Sequence, residues 1–325
     1  MRKFASAATA MLLGATIFAP SVLAADKQVT AQSPVAQIEP AVDGNRIVWA
    51  DKRSGNYDIY LREMSTGQEW QITSDSSKQV DPAISGDRIV WTDYRNGNAD
   101  IYMFDLATWE ESQLSTNDAG QWDPAIDGDT IVWEDSRNSN LDIYSFNLKT
   151  NRESRMTTNS ADQYAPTIAG DNIVWQDDRS GNSDIYRYNL ITGLESRLST
   201  VDNGDQSSPS ISGNTVVWLD NRNDQDQIVA YDLSSGIEHP IPSNATPDAK
   251  KWSPAVAGDN VVWVDTRDGN WNIYHYNLAT KLESRVTIDS SKHYEPAISG
   301  SQVFWEDNRS GSLAIYTIDL NENSN

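Results

Sequence analysis

Short apolar runs alternate along this chain with polar segments rich in glycine, asparagine and aspartate. One run, Ile47-Val48-Trp49, recurs in seven similar versions, and its tryptophan returns at spacings of 42, 42, 42, 43, 45 and 42 residues. The seven positions are Trp49, Trp91, Trp133, Trp175, Trp218, Trp263 and Trp305. Short runs of β-branched and aromatic residues between turn residues predict antiparallel strands. The fixed period predicts an array of one repeated supersecondary unit.

Each repeat unit divides into four predicted strands. In the first unit they cover residues 40–44, 46–50, 58–64 and 68–73, with a polar Gly/Asn loop between the second and third. The Ile-Val-Trp run is apolar on both faces of its strand, as expected for a sheet covered on both sides. Four strands in about 42 residues are typical of a β-propeller blade.

The two ends of the chain predict how the array closes. The seventh unit stops after Leu320 and lacks a fourth strand. Gln28-Val29-Thr30 precedes Pro40 much as Gln71-Ile72-Thr73 precedes Pro82, so the N-terminal strand is expected to complete the last blade and remove the open sheet edge. The predicted fold is all-β, a seven-bladed β-propeller of four-stranded antiparallel blades over residues 25–320, with a short polar tail at 321–325. Its repeats start near residues 40, 82, 124, 166, 209, 254 and 296.

The consensus of the repeat carries a family resemblance. Residues 82–91 read PAISGDRIVW and residues 93–102 read DYRNGNADIY. This pattern resembles the TolB-type propeller repeat, especially the version in archaeal and bacterial cell-surface proteins, and the resemblance covers residues 27–320. It implies the fold and names no activity. The fifth unit departs from it at residues 225–227 and the seventh at Ala314.

Composition restricts the compartment and the partners. Residues 1–24 have the basic start, apolar core and small-residue end of a secretory signal peptide, and the apolar run is shorter than the roughly 20 residues that span a bilayer. The formal net charge is −22 and there is no cysteine. Negative charge of this size disfavours nucleic acid and anionic membranes. We expect a secreted, periplasmic or cell-surface protein whose mature chain does not insert into a membrane.

The first candidate for chemistry is a repeated Asp-x-Arg. Seven acids around an axis suggest a cation site, but an arginine accompanies each one, and a guanidinium beside a carboxylate forms a charge-assisted pair that also satisfies loop carbonyls. A group that every blade requires favours a structural role. The pairs are Asp51/Arg53, Asp93/Arg95, Asp135/Arg137, Asp177/Arg179, Asp220/Arg222, Asp265/Arg267 and Asp307/Arg309.

The second candidate is the Gly-Asn-x-Asp loop that follows several of these pairs, as at residues 55–58 and 181–184. Alternating Asp and Asn oxygens resemble those of calcium loops, yet the loops lack the length and the bidentate Glu of an EF-hand. Gly-Asn sequences also form tight turns without any metal. No cofactor is expected, with calcium as the minority alternative. The weak calcium candidates are Asp58, Asp100, Asp142 and Asp184.

The third candidate is the segment before each repeat's proline. These fourth-to-first connections are expected to share a face with the second-to-third loops and to surround the mouth of the central channel. They differ from blade to blade, as an asymmetric recognition surface would, although packing over the neighbouring blades is an equally simple role. The predicted ligand-binding residues are Gln121, Trp122, Gln163, Tyr164, Trp252, His293 and Tyr294, with Trp271 and Tyr57 as outer contributors.

Enzyme signatures are sparse. The chain has three histidines, of which we expect only His293 on the mouth, and it contains no nucleophile elbow, zinc-binding helix or phosphate loop. Carboxylates such as Asp81 and Asp123 on adjacent blades have the chemistry for glycoside hydrolysis, but acids are abundant here. We therefore expect a non-catalytic binding or scaffold propeller that recognises a protein or glycan at the cell envelope. The alternatives are an extracellular carbohydrate-active enzyme, lyase or glycosidase, and a self-associating surface-array component.

Overall fold

Seven antiparallel sheets of four strands each form a β-propeller in the computed structural model, which describes residues 25–31, 33–200, 203–243 and 248–322. The predicted fold class is confirmed. The predicted signal peptide at 1–24 and the last three residues of the predicted tail lie outside the described residues. No helix in these ranges is both long and apolar enough to cross a membrane.

The first four blades have nearly identical strand bounds. Blade 1 contains β2 (Gln37–Asp43), β3 (Arg46–Asp51), β4 (Asp58–Glu63) and β5 (Glu69–Gln71). Blade 2 contains β6 (Gln79–Ser85), β7 (Arg88–Asp93), β8 (Asp100–Asp105) and β9 (Glu110–Gln113). Blade 3 contains β10 (Gln121–Asp127), β11 (Thr130–Asp135), β12 (Asp142–Asn147) and β13 (Arg152–Arg155). Blade 4 contains β14 (Gln163–Ala169), β15 (Asn172–Asp177), β16 (Asp184–Asn189) and β17 (Leu194–Arg197).

The last three blades keep this plan with two local differences. Blade 5 contains β18 (Gln206–Ser212), β19 (Thr215–Asp220), β20 (Gln227–Asp232) and β21 (Ile237–Pro240), and a 3-10 turn at Arg222–Asp224 occupies its altered loop. Blade 6 contains β22 (Lys251–Ala257), β23 (Asn260–Asp265), β24 (Asn272–Asn277) and β25 (Leu282–Arg285). Blade 7 contains β26 (His293–Ser299), β27 (Gln302–Asp307) and β28 (Ala314–Asp319), and its fourth strand is β1 (Lys27–Gln28).

The hydrophobic core lies between neighbouring blades. All seven repeat tryptophans are fully buried in the second strands, and Trp49 stacks on its cross-strand partner Tyr60 with ring centroids 6.0 Å apart. Val48 and Ile59 of blade 1 belong to the same buried cluster as Trp91 of blade 2. Burying both faces of each sheet in this way requires strands that are apolar throughout.

The innermost strands begin three residues earlier than the sequence suggested. Residues 37–39 belong to β2, and a register shift between Ile38 and Ala41 lets the strand continue through Pro40. The residue before each proline has a positive φ, which absorbs this β-bulge. These seven bulge residues are Glu39, Asp81, Asp123, Ala165, Ser208, Ser253 and Glu295, and we call them the mouth ring.

The opposite end of the channel is joined by hydrogen bonds between blades. The Gly86 amide donates to Asp43 Oδ2 at 2.6 Å, and the Gly128 amide donates to Ser85 Oγ at 3.0 Å. The Gly44 amide donates to Ser299 Oγ at 3.0 Å and so joins blade 1 to blade 7. These glycines adopt positive φ in their turns, a conformation that needs no Cβ.

The N-terminal strand closes the circle, as the sequence predicted. Lys27 and Gln28 pair antiparallel with Thr317 and Tyr316 of β28. The Val29 amide extends this pairing by donating to the Ile315 carbonyl at 2.8 Å. The fourth strand of the last blade therefore comes from the opposite end of the chain.

Candidate functional site

The Asp-x-Arg pair is a buried clamp within each blade. In blade 3, Arg137 Nη2 donates to Asp135 Oδ2 at 2.5 Å and Nη1 donates to Glu153 Oε1 at 2.6 Å. The guanidinium lies 4.2 Å from the centre of the Tyr144 ring, and Trp133 Nε1 donates to Asp135 Oδ2 at 3.2 Å. Burial lowers the pKa of Arg137, but hydrogen bonds to Asp135 and Glu153 outweigh this effect and raise it. All seven aspartates of the pairs are fully buried.

Every blade supplies a third, acidic member to this clamp. Blades 1 to 6 supply it from their outermost strand, and blade 7 supplies it from the N-terminal segment as Asp26. The seven arginines thus occupy the sites at which a cation would meet the aspartates. The same arrangement of aspartate, arginine and outer acid in all seven blades is what a structural role in the blade requires. Its outer acids are Glu69, Glu111, Glu153, Glu195, Glu238, Glu283 and Asp26.

The four calcium candidates already have hydrogen-bond donors. Asp100 accepts from Asn96 Nδ2 at 2.9 Å and from Asn98 Nδ2 at 3.0 Å. Asp142 and Asp184 are paired with Arg155 and Arg197, and Asp58 accepts from Ser54 and Thr73. Hydrogen-bond donors and a guanidinium that already occupy the carboxylate oxygens disfavour the binding of a metal cation there. Calcium binding in these loops stays the minority alternative to a structural role.

Within the described residues, one group of acidic and histidine side chains is close enough to share a metal: Asp289, His293 and Asp307. His293 Nδ1 faces the Trp271 carbonyl at 2.8 Å, and Nε2 lies 3.3 Å from both carboxylates. Arg309 Nη2 lies 2.7 Å from Asp289 Oδ2, so a guanidinium already neutralises this group. Burial lowers the pKa of His293, but the Asp307 hydrogen bond, the Trp271 carbonyl and both carboxylates raise it overall.

Three of the sequence-predicted ligand residues are buried. Gln121, Gln163 and His293 occupy equivalent positions at the start of an innermost strand, and each is fully enclosed. Gln163 Nε2 donates to the Ala161 carbonyl at 2.6 Å. Blades 1, 2 and 5 also have a buried glutamine here, and blade 6 has Lys251. The side chain at this position anchors the loop that precedes it in its own blade. A ligand at the mouth would therefore contact the residues that follow this position.

Trp122 and Tyr164 are held by their own blades. The Trp122 ring lies so close to Gly120 that a Cβ added there would stand 2.1 Å from it. The Tyr164 hydroxyl accepts from Gln176 Nε2 at 2.7 Å and lies 3.2 Å from Asp178 Oδ1. Both side chains are half-buried. Their positions therefore leave part of each ring accessible without joining the two in one patch.

The structure does bring three predicted aromatic residues together, across blades 6 and 7. The Trp252 and Trp271 ring centroids are 4.7 Å apart, and those of Trp271 and Tyr294 are 5.0 Å apart at 67°. Lys292 Nζ lies 5.3 Å from the centre of the Trp271 ring. All three rings are half-buried. We call Trp252, Trp271 and Tyr294 the aromatic cluster.

Carboxylates surround the channel mouth beside this cluster. The mouth ring contributes Glu39, Asp81, Asp123 and Glu295, and the second strands contribute Glu134 and Glu306. A cavity of about 480 Å³ opens here between Glu39, Glu295, Glu306 and three prolines, Pro40, Pro82 and Pro296. The six acids, Glu39, Asp81, Asp123, Glu134, Glu295 and Glu306, are called the mouth carboxylates below.

Hydrogen bonds between blades order several of these carboxylates. Glu306 Oε1 accepts from the Glu39 amide at 2.8 Å, Glu39 Oε2 from the Asp81 amide at 2.7 Å, and Glu134 Oε1 from the Ala165 amide at 2.7 Å. Each of these three carboxylates therefore accepts a hydrogen bond from the bulge residue of the next blade. One oxygen of each is engaged with backbone.

Burial and mutual repulsion raise the pKa of five of these carboxyl groups and so make them hard to ionise. Burial, followed by the nearby Glu39 and Asp123 charges, raises the pKa of Asp81 to about 7. Burial and the Asp123 charge raise the pKa of Glu134 to about 7, and burial with the Glu295 and Glu39 charges does the same for Glu306. The pKa of Glu39 and of Asp123 is also raised, chiefly by burial. Perturbed carboxyl groups gathered at a cleft mark a candidate functional site.

Sequence reasoning missed Glu134 and Glu306. They follow the repeat tryptophan directly, where the other blades carry Ala50, Thr92, Gln176, Leu219 and Val264. An acid next to a buried Ile-Val-Trp or Val-Phe-Trp run was the available signal. It was not decisive because the sequence alone does not show that this position faces the mouth ring of the next blade.

Comparisons with known proteins agree on the fold and differ on function. None of the curated proteins matches this chain significantly. TolB from Acinetobacter baumannii is 21% identical, with a TM-score of 0.56 over 79% of this chain and 67% of that one. An oligogalacturonate lyase in complex with manganese is 14% identical, with a TM-score of 0.70 over 91% and 93%. An acylaminoacyl peptidase from Pyrococcus horikoshii is 13% identical, with a TM-score of 0.66 over 89% of this chain and 52% of the peptidase.

At these identities the structural likeness shows the fold alone, and the neighbours include enzymes of two kinds beside TolB. The sequence supplies the family. The profile of the TolB beta propeller domain matches residues 83–257, which is more than half of the chain. The repeat consensus, the seven closed blades and this match lead to one conclusion: the protein belongs to the TolB β-propeller domain family.

Proposed function

We propose that this protein is a non-catalytic binding module that works outside the cytoplasm, at the cell envelope, and recognises a protein or glycan through the mouth face of its propeller. The observation that carries the proposal is the aromatic cluster of Trp252, Trp271 and Tyr294 beside the channel mouth. Partly exposed aromatic rings offer a large contact area at a low cost in conformational entropy, which is why they dominate recognition surfaces.

The placement of the cluster supports binding over simple packing. Its residues come from two neighbouring blades, and equivalent positions in other blades are not aromatic as a set. At the position of Trp252, blades 1, 2 and 5 have Ile38, Val80 and Ser207, whereas blades 3, 4 and 7 have Trp122, Tyr164 and Tyr294. A fold requirement would recur in every blade, as the Asp-x-Arg clamp does. An asymmetric feature of this kind suits a specific ligand.

The test compares the wild-type protein with a Trp252→Ala/Trp271→Ala variant on glycan arrays and in pull-downs from envelope extracts. Trp109→Ala is the matched control, because Trp109 is an exposed tryptophan on the outer side of blade 2. We expect the double variant to lose binding by at least about tenfold while the control keeps it, as for a contact at the centre of an interface. Equal binding by all three proteins would refute the proposal.

A carbohydrate-active enzyme is the second candidate, favoured by one pair of groups. The Asp123 and Glu134 carboxyls are neighbours at the mouth, and burial followed by the Asp123 charge raises the pKa of Glu134 to about 7. A protonated and an ionised carboxyl together have the chemistry of glycoside hydrolysis. A turnover screen against polysaccharides tests this candidate. Cleavage that disappears in Glu134→Gln would replace the binding proposal, and His293 is unsuited to this test because it is buried.

A self-associating surface-array component is the third class. It is tested by light scattering at high protein concentration, with calcium and with EDTA. Scattering that rises with calcium would favour an array, and scattering unchanged under both conditions would remove calcium as a partner.

A further inference from the structure

The mouth carboxylates lack a cation, unlike the buried aspartates of the Asp-x-Arg clamps. Each aspartate of the seven Asp-x-Arg clamps is paired with a guanidinium. Among the described residues, no lysine, arginine or histidine lies within ion-pair distance of any mouth carboxylate. Lys78 acts on Glu39 and Asp81 only through a longer-range charge interaction, and its ammonium lies 4.0 Å from the centre of the Tyr94 ring. The mouth is therefore a focus of uncompensated negative charge.

A buried hydroxyl beside these carboxylates also lacks a partner. Thr92 occupies, in β7, the position that Glu134 and Glu306 occupy in their own second strands, and it is fully enclosed. Its hydroxyl lies next to the Asp81 carboxyl but makes no hydrogen bond of ordinary geometry within the described part of the chain. A buried polar group without a partner costs free energy, and a ligand that donates a hydrogen bond would recover it.

The walls of the mouth suit an organic cation. Tyr57 lies close enough to Glu39 and Glu306 for both charges to raise its pKa, with burial the larger cause. Burial and the Glu306 charge likewise raise the pKa of Tyr294. Tyr294 also contacts Trp271 within the aromatic cluster. An ammonium or guanidinium gains from aromatic faces as well as from carboxylates. The cavity of about 480 Å³ is larger than a single bound metal ion needs, and several of the carboxylates have an oxygen already engaged with backbone.

We propose that the channel mouth binds a positively charged group of a protein partner, a lysine or arginine side chain or a chain N-terminus, which enters between the mouth carboxylates and against Tyr57 and Tyr294. This inference rests on the proposed function and names the chemistry of its ligand. The cationic group donates hydrogen bonds to the carboxylate oxygens left free by the backbone, which include those of Asp81 beside the Thr92 hydroxyl. The aromatic cluster then contacts the chain that carries the charge.

The test uses hexalysine as the probe, with fully acetylated hexalysine as its uncharged counterpart, in calorimetric titrations of the full chain near 0.15 M salt. The mouth variant is Glu39→Gln/Asp81→Asn/Asp123→Asn. The matched control is Glu110→Gln/Asp171→Asn/Asp259→Asn, which removes the same net charge at exposed acids away from the mouth. We expect the mouth variant to weaken hexalysine binding by at least about tenfold and the control by less than about twofold, since surface charges at a distance are screened.

Two further arms keep the inference falsifiable should the mouth variant fold poorly. In the wild-type protein, affinity for hexalysine should rise from about pH 5.5 to 8, because a cation binds the ionised carboxylates, and protons should be released on binding. Calcium alone is titrated in the same way.

Equal losses in the mouth variant and the control, binding of the acetylated probe, or binding that does not change with pH would overturn the inference. So would calcium binding that depends on the mouth carboxylates without any hexalysine binding. A glycan bound through Trp252 and Trp271, with no binding of hexalysine, would leave the proposed function standing and refute this inference alone.

Discussion

Arg309 of the last blade donates through Nη2 to Asp26 Oδ2 at 2.6 Å, although 283 residues separate the two in sequence. In the other six blades the corresponding arginine reaches a glutamate of its own fourth strand. The N-terminal segment therefore supplies both the missing fourth strand, Lys27–Gln28, and the missing acid of the clamp, Asp26. Closure of the ring unites a strand pairing and an ion pair that the two chain ends form only when they meet.

Removing residues 25–31 should lower the melting temperature substantially, because it opens the edge of β28 and leaves Arg309 without Asp26. Asp26→Asn alone should cost only about 1 kcal/mol, since this ion pair is partly exposed. Thermal unfolding followed by circular dichroism measures both. A deletion variant that melts with the wild type would show that the N-terminal strand does not hold the ring.

Asp135→Asn should destabilise the protein by roughly 3–5 kcal/mol, because the Arg137 guanidinium then loses its charged partner in a buried site. Glu153→Gln, at the solvent side of the same clamp, is the comparison and should cost about 1 kcal/mol or less. Urea unfolding gives both values. Similar small losses in the two variants would contradict a structural role for the Asp-x-Arg pair.

His293→Gln should change how stability depends on pH. The raised pKa of His293 means that its folded, protonated form is favoured by Asp307, Asp289 and the Trp271 carbonyl, and Arg309 is the opposing charge in the group. This stabilisation is complete below the unfolded pKa near 6.5 and is lost as pH rises through the folded pKa.

We therefore expect the wild type to exceed His293→Gln by about 1 kcal/mol below pH 6 and to lose that advantage in alkaline buffer. Gln occupies this position in blades 1 to 5, so the variant should fold. Melting curves recorded across this range decide the matter. A constant difference between the two proteins would mean that His293 does not titrate.

Asp81→Asn should stabilise the protein at pH 8. The pKa of Asp81 is raised to about 7 in the folded state, by burial and by the Glu39 and Asp123 charges, so ionising it opposes folding. The penalty appears as pH rises above the unfolded value near 4 and is complete above pH 7. We expect a gain on the order of 1 kcal/mol at pH 8 and little change at pH 4, measured by chemical unfolding. A loss of stability at pH 8 would contradict this view of the mouth.

The sequence was informative wherever a requirement repeats. Ile47-Val48-Trp49 and its copies need burial on both faces, and only stacked or radially packed sheets provide it. The count of seven, the four strands per blade and the closing strand at Lys27–Gln28 follow from that period and from the missing fourth strand after Leu320. The recurrence of Asp-x-Arg in every unit predicted a structural pair, and it gave no sign of the third acid that the structure places beside each arginine.

The candidate site was predicted only in part. The sequence placed Trp252, Trp271 and Tyr294 on one face, but it could not distinguish their contact from the separate packing of Trp122 on Gly120. It also assigned Gln121, Gln163 and His293 to the surface. These three are buried because the innermost strand begins three residues before the proline, with a bulge that no propensity rule reveals.

By itself, then, the sequence determined the blade, its number and the circular closure, since these depend on local periodicity and on burial that every unit demands alike. The tertiary structure alone decided which acids meet at the mouth. Glu306 and Glu39 are 267 positions apart, and Glu134 reaches Ala165 across a blade boundary. Such meetings depend on the curvature of the ring and on the positive-φ bulges that turn each mouth-ring amide toward the preceding blade, and both arise only when all seven sheets are packed.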